Sequence, residues 1–212
     1  MRIDIGWLVV AAMLGADGFF PARLAESPVL MTVPPLRGQC QTAFDVGVDP
    51  AGSVTGVRCL CGGAPLANAL EEAVACWAFE PATENGVRTA SRVLVAALFR
   101  PPTLFNVGPC GAPLEEMVLA SEGLPVPITV QPPTYPVRAL GAGVVIVEVE
   151  IDPSGQVRSA RAMGNRTPFD NAAEQAAQAW VFVPGRSGGR PVPTVAYLLF
   201  GFQEPALSPG PH

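Results

Sequence analysis

The residues of this chain best suited to chemistry are its five cysteines, Cys40, Cys59, Cys61, Cys76 and Cys110. Thiols so spaced admit three chemistries: disulfides, a structural metal site, or free thiols buried as small apolar groups. Cys59 and Cys61 stand two apart in a run that reads as a strand, which puts both on one side of it. Cys76 falls on a following helix expected to cover that side. Structural zinc favours C-x2-4-C knuckles, and C-x-C on a strand is a poor start for one. One or two disulfides stapling the first half of the chain are the stronger expectation in an oxidising compartment, and spacing does not choose among the pairings. Other reactive constellations are missing. The single histidine is His212, and there is no H-E-x-x-H, Walker loop or G-x-S-x-G. Asp49 and Asp152 pair only on paper, since each sits in its own Asp-Pro-x-Gly turn. The sequence points to a protein that is not an enzyme, with no cofactor and no metal.

Charge narrows the class further. The chain has a net charge of −5, with thirteen arginines and no lysine. That excludes a nucleic-acid binder, which needs a basic surface. Charged residues make up only 15%, but 49% of the chain is apolar and periodic, which argues for a folded protein over a disordered one.

The elements that carry these residues occur twice. Phe44–Phe99 aligns with Val147–Phe202 at an offset of 103 without a gap, and 16 of the 56 columns are identical. The identities include Asp49/Asp152, Pro50/Pro153, Gly52/Gly155, Pro65/Pro168, Trp77/Trp180, Phe79/Phe182, Pro81/Pro184 and Gly86/Gly189. They fall where turns and helix ends need them.

Each copy predicts the order β-β-α-β. Val145, Val147, Val149 and Ile151 alternate with Ile146, Glu148 and Glu150, and Phe44, Val46 and Val48 alternate with Asp45 and Gly47. A period of two with one wet face is a half-buried strand. The turns Asp152–Gly155 and Asp49–Gly52 then fold it back on a second strand, Val157–Met163 or Val54–Leu60. A helix follows, with Thr167 as cap, Pro168 at its first position and an apolar stripe of Phe169, Ala172, Ala173, Ala176 and Trp180. In the first copy the stripe is Leu66, Ala69, Leu70, Ala73 and Trp77. A last apolar run, Val192–Phe202 or Arg92–Phe99, completes the unit. The expected fold class is α+β: two tandem β-β-α-β units, each a three-stranded antiparallel sheet with a helix packed on one face.

At this point the second copy resembles a known family, the TonB C-terminal domain. The resemblance runs over about Pro133 to Gln203. It is carried by Tyr135-Pro136, Gly143, Asp152-Pro153-Ser154-Gly155, Phe169-Asp170-Asn171-Ala172-Ala173 and Trp180-Val181-Phe182-Val183-Pro184. The first copy is similar only as a diverged relative, with Pro34-Pro35-Leu36 in place of the Tyr-Pro and Ala67 in place of Asp170. The resemblance implies a non-catalytic periplasmic protein that binds an extended peptide of an outer-membrane receptor by β-strand addition, in energy-coupled transport. The strand so used would be the open edge Thr194, Val195, Ala196, Tyr197, Leu198 and Leu199. The family's second contact would be the stretch before the Tyr-Pro: Gln131, Pro132, Pro133, Thr134 and Tyr135. The same edge is closed instead if the linker, the first copy or a second chain caps it.

The remaining segments set the expected organisation. Residues 1–25 hold an apolar run, Ile5–Gly15, too short to span a bilayer and suited to a signal peptide, with Ala16 or Ala25 as cleavage positions. Inner-membrane anchoring is the alternative. Residues 26–100 form the first copy, 101–131 a Pro/Gly linker with a short helix at Pro113–Ala120, 132–203 the second copy and 204–212 a tail. A short apolar run and no spacer do not favour coupling to inner-membrane motor proteins. The competing function is a structural, self-associating envelope protein, a homodimer or a tandem paired edge to edge. A weaker third is a cysteine-based redox or metal protein.

Overall fold

The computed structural model describes residues 18–26, 40–63, 66–99, 114, 123–164 and 166–203. In chain order its elements are β1 (Phe19–Phe20), β2 (Arg23–Leu24), β3 (Cys40–Val48), β4 (Val54–Gly62), α1 (Leu66–Ala75), β5 (Phe79–Glu80), β6 (Ala82–Glu84), β7 (Val87–Thr89) and β8 (Ser91–Phe99). They continue with β9 (Val126–Thr129), β10 (Gly143–Ile151), β11 (Val157–Ala162), α2 (Asp170–Gln178), β12 (Val181–Val183), β13 (Arg186–Ser187), β14 (Arg190–Pro191) and β15 (Thr194–Phe202). The fold is α+β, mostly strand with two helices.

Six strands form one sheet, in the order β11-β10-β15-β8-β3-β4. In each half a hairpin (β3–β4 or β10–β11) takes a third antiparallel strand (β8 or β15) on its other side. The halves meet where β15 pairs parallel with β8, from Ala196 opposite Leu94 to Gly201 opposite Phe99. The two expected three-stranded sheets, whose contact the sequence leaves open, are joined into one by this seam. Its cause is composition. The runs Val93–Phe99 and Val195–Phe202 are apolar on both faces and buried throughout, and such strands belong inside a sheet.

The seam also sends the helices to opposite faces. Leu94, Ala96 and Leu98 of β8 and Ala196, Leu198 and Phe200 of β15 share a core with Ala173, Ala176 and Ala177 of α2 and with Trp180. Their alternate neighbours Val93, Val95, Ala97, Val195, Tyr197 and Leu199 share the other core with Leu66, Leu70 and Val74 of α1 and with Trp77. Each half therefore turns the face away from its own helix toward other parts of the chain. That corrects the expected wet face of β10: Ile146 and Glu148 are buried, at 3% and 4% exposure.

Several local expectations also change. Helix α2 starts at Asp170 with Phe169 as its N-cap and no side-chain cap bond, so Pro168 lies before the helix. Thr167 Oγ1 accepts from the Phe169 N–H at 3.2 Å, and the Asp170 carboxylate accepts from the Thr167 N–H at 3.0 Å. Cys59 and Cys61 do not share a side. A bulge in β4 sets Cys59 opposite Phe44 and Cys61 opposite Ala43, and Phe44 and Ala43 belong to different cores. Cys76 is exposed just beyond α1.

Residues 18–25 contribute β1 and β2, paired to β6 and β5. From the expected linker, β9 pairs with β12 and Leu114 is buried, its N–H donating to Gln41 Oε1 at 3.0 Å. The run Ile5–Gly15, Cys110, the rest of Pro113–Ala120 and residues 204–212 lie outside the described residues.

The two Asp-Pro-x-Gly turns have matching geometry. Asp49 Oδ1 accepts from the N–H groups of Ala51 and Ser53, and Asp152 Oδ1 from those of Ser154 and Gln156. Gly52 and Gly155 have φ of 93° and 88°, and a Cβ on either would lie 1.9 Å from the carbonyl oxygen of Phe79 or Phe182. Gly189 has a similar φ of 79° with open space around it. Gly155→Ala is therefore expected to lose about 3 kcal/mol of stability, against about 1 kcal/mol for Gly189→Ala. Urea titrations of both variants check this, and equal losses would contradict the close approach.

Candidate functional site

Strand β15 carries the residues expected to take a peptide, and both of its backbone edges are bonded. Thr194 to Phe202 pair with β10 on one side, and Ala196 to Gly201 with β8 on the other. The open edge expected at Thr194, Val195, Ala196, Tyr197, Leu198 and Leu199 is thus taken by the first half of the same chain. Val195 to Leu199 are buried on both faces of the sheet and Thr194 is half-buried.

The lead-in stretch sits elsewhere, along the Trp180 side of the second half. The Gln131 carbonyl accepts from Trp180 Nε1 at 2.9 Å. Tyr135 donates to the Gly141 carbonyl at 2.8 Å and packs edge-on against Phe169, with ring centroids 5.6 Å apart. Gln131 and Thr134 are exposed, and Pro132, Pro133 and Tyr135 are half-buried. Beyond them the turn presents Val137 and Leu140 to solvent. The structure therefore separates the two parts of the expected peptide site: the lead-in is accessible and the strand is not.

A buried polar cluster sits where the expected peptide strand lies. Tyr197 is fully buried, wedged edge-on against Trp77 and Phe79 of the first half, each 6.1 Å between centroids. Its hydroxyl donates to Glu148 Oε2 at 3.0 Å and accepts from the Leu24 N–H at 2.7 Å. Glu148 Oε1 also accepts from Arg23 Nη1 at 2.7 Å and from Arg161 Nη2 at 3.3 Å, and Arg23 pairs in addition with Glu150. Burial and the Glu148 carboxylate together push the Tyr197 hydroxyl above its usual range, so it remains a donor. Burial pushes the Glu150 carboxyl up, but Arg23 more than offsets this and holds it below its ordinary value.

The first half has a counterpart. Asp45, the column equivalent of Glu148, accepts from Arg58 at 2.8 Å and from Arg92 at 2.8 and 2.5 Å. Burial raises the Asp45 carboxyl, and Arg92 and Arg58 more than offset this to bring it below its usual value. These groups were missed because Glu148 reads as a wet-face residue. The signal was present in the repeat: an acidic column, 45/148, lies cross-strand from an arginine column, 58/161.

Among the described residues no group of three or more His, Cys, Asp or Glu could hold a metal ion. Cys40 is disulfide-bonded, and Cys59 and Cys76 are free thiols. No described helix is long and apolar enough to cross a membrane.

The lead-in, the β10–β11 hairpin, α2 and β15 together match a family model over residues 131–203, that of the Gram-negative bacterial TonB protein C-terminal. Residues 131–203 are thus similar to this family. The match covers about a third of the chain. No curated protein matches it. The TonB C-terminal family is non-enzymatic and envelope-associated, and its members interact in general with outer-membrane receptors.

Removing the Tyr197 hydroxyl leaves the Leu24 N–H and Glu148 Oε2 short of a partner in a buried place. Tyr197→Phe is expected to lose about 1–3 kcal/mol in urea unfolding with the fold retained. Asp45 and Glu150 have depressed folded pKa values. Their contribution is therefore complete above the usual carboxylate range, near 4, and is lost as pH falls through the lower folded values. Urea midpoints should accordingly drop below about pH 4, and Arg23→Ala should flatten the part due to Glu150.

Proposed function

We propose that this protein is a non-catalytic, TonB-like component of the cell envelope that binds an extended peptide of an outer-membrane transporter by β-strand addition. The observation that carries this reading is the family match over 131–203. It is supported by a long sheet whose terminal strands keep unpaired sides among the described residues. Strand addition uses main-chain hydrogen bonds, so it needs an edge more than a pocket. In this chain the transporter peptide does not pair with Thr194–Leu199 unless β8 is displaced. Gln131, Pro133 and Tyr135 remain as accessible side contacts.

We further propose that the chain is a tandem of two copies of one β-β-α-β unit, extending upstream of Phe44. The supports are the matched turns and the pairing of β2 with β5 at the same 103-residue offset as β9 with β12. The unit then includes Arg23 and Leu24, and an exported form is cleaved ahead of Gly18. N-terminal sequencing of the periplasmic protein should give a start upstream of Gly18. A start at Glu26 would remove β2 and contradict the assignment.

The binding reading is tested by fluorescence anisotropy of the full chain with peptides tiling the periplasm-facing segments of outer-membrane transporters. Saturable binding that changes little between low and high salt is expected, because backbone pairing is not an ion-pair interaction. The second reading is a structural, self-associating envelope protein. The β15–β8 seam specifically favours it, since it uses the family's edge within the chain. Absence of binding by every peptide, with the chain self-associating in sedimentation, would select that reading.

A further inference from the structure

The two ends of the six-stranded sheet, β11 and β4, are finished differently. At β11, helix α2 reaches the rim. Gln178 Nε2 donates to the Val157 carbonyl at 2.7 Å, and Glu174 Oε1 accepts from the Ala162 N–H at 2.8 Å. These backbone groups of the end strand are bonded to helix side chains, leaving fewer for an incoming strand. Arg158, whose counterpart on β4 is Thr55, also stands exposed along the strand, and charge of this kind is a common guard on sheet edges.

The counterparts at β4, 103 residues earlier, are Ala75 for Gln178 and Glu71 for Glu174. Ala75 has no group to offer the Val54 carbonyl. The side chain of Glu71 is exposed and makes no hydrogen bond or ion pair among the described residues. Strand β4 runs nine residues without a proline, and Thr55, Gly56, Arg58 and Cys59 along it are exposed. Helix α1 packs on the face that Val54 and Val57 share with Phe44 and Val46. It carries Glu71 and Glu72, both exposed.

We propose that β4 is the strand-accepting edge of this protein, and that it takes an extended partner segment with Lys or Arg on the side facing α1. This rests on the strand-addition reading and moves the site from the second half to the first. Charge decides between occupants. A second copy, joined β4 to β4, would bring Glu71 and Glu72 against their own equivalents in a chain already at −5, and like charges across a strand pair are unfavourable. A basic segment meets the same carboxylates as counter-ions.

Hydrogen exchange read by mass spectrometry on the full chain tests this, using the transporter peptide that binds best by anisotropy. Slower exchange over Val54–Gly62 is expected, with Val157–Ala162 and Thr194–Phe202 unchanged. Ala75→Gln, which gives the Val54 carbonyl the cap that Val157 has, should weaken the peptide about five-fold, one backbone hydrogen bond's worth, without lowering the melting temperature. Glu71→Lys should weaken a Lys-bearing peptide and strengthen its Glu-bearing analogue. Peptide binding with protection at β11 or β15 instead overturns the β4 assignment and leaves strand addition standing. Failure of every transporter peptide to bind overturns both. Protection of β4 that grows with protein concentration alone assigns the edge to a second copy and overturns the partner proposed.

Discussion

The parallel pairing of β15 with β8 is the constraint on which the rest of the molecule depends. Each strand has apolar residues on both faces, and neither half has enough helix to cover both. Placing the two side by side in parallel puts α1 and α2 on opposite sides of one sheet, so each last strand is covered above and below. At roughly 25 cal/mol for each Å² of apolar surface removed from water, strands such as TVAYLLFGF gain more from this arrangement than from an exposed edge. The two units become one continuous sheet.

The same arrangement explains the buried charges. Asp45 and Glu148 occupy equivalent columns, each on the face away from its own helix. In a separate three-stranded unit that face would meet water and need no explanation. Here it is covered, so each carboxylate must find cations. Asp45 finds Arg58 and Arg92 within its own half. Glu148 finds Arg161 locally, and Arg23 and Tyr197 Oη at the junction. An unpaired buried carboxylate would be strongly destabilising, so this junction fixes the halves in register as well as holding them together.

Much of the local structure was legible. The Asp-Pro-x-Gly turns, the hairpins, the helices and the last strands all follow from periodicity and turn chemistry, because each depends on residues close in sequence. What failed depends on distant partners. The seam was signalled only by the lack of alternation in Val93–Phe99 and Val195–Phe202, which marks strands buried on both faces. With that signal unread, Thr194–Leu199 could be an open edge or one capped by the first copy, as it proves to be, and Glu148 passed for a wet-face residue. The sides taken by Cys59 and Cys61 were misjudged because a bulge shifts the register by one, and spacing alone carries no trace of it. Strand β2 is two residues long, too short for any periodic signal, and its role comes from Arg23 reaching across to the other half.

That reach has a consequence for the order of assembly. The Leu24 N–H and the Tyr197 hydroxyl are 173 residues apart in the chain, and Arg23 and Glu148 are 125 apart. The β3–β4 hairpin can close on neighbours a few residues away while synthesis is still under way. The start of the described chain must instead wait for nearly its end, and contacts of such separation form slowly. Until β15 arrives, the edge of β8 away from β3 has no partner strand. For that interval the nascent first half presents a bare apolar edge, the kind of surface on which chains aggregate.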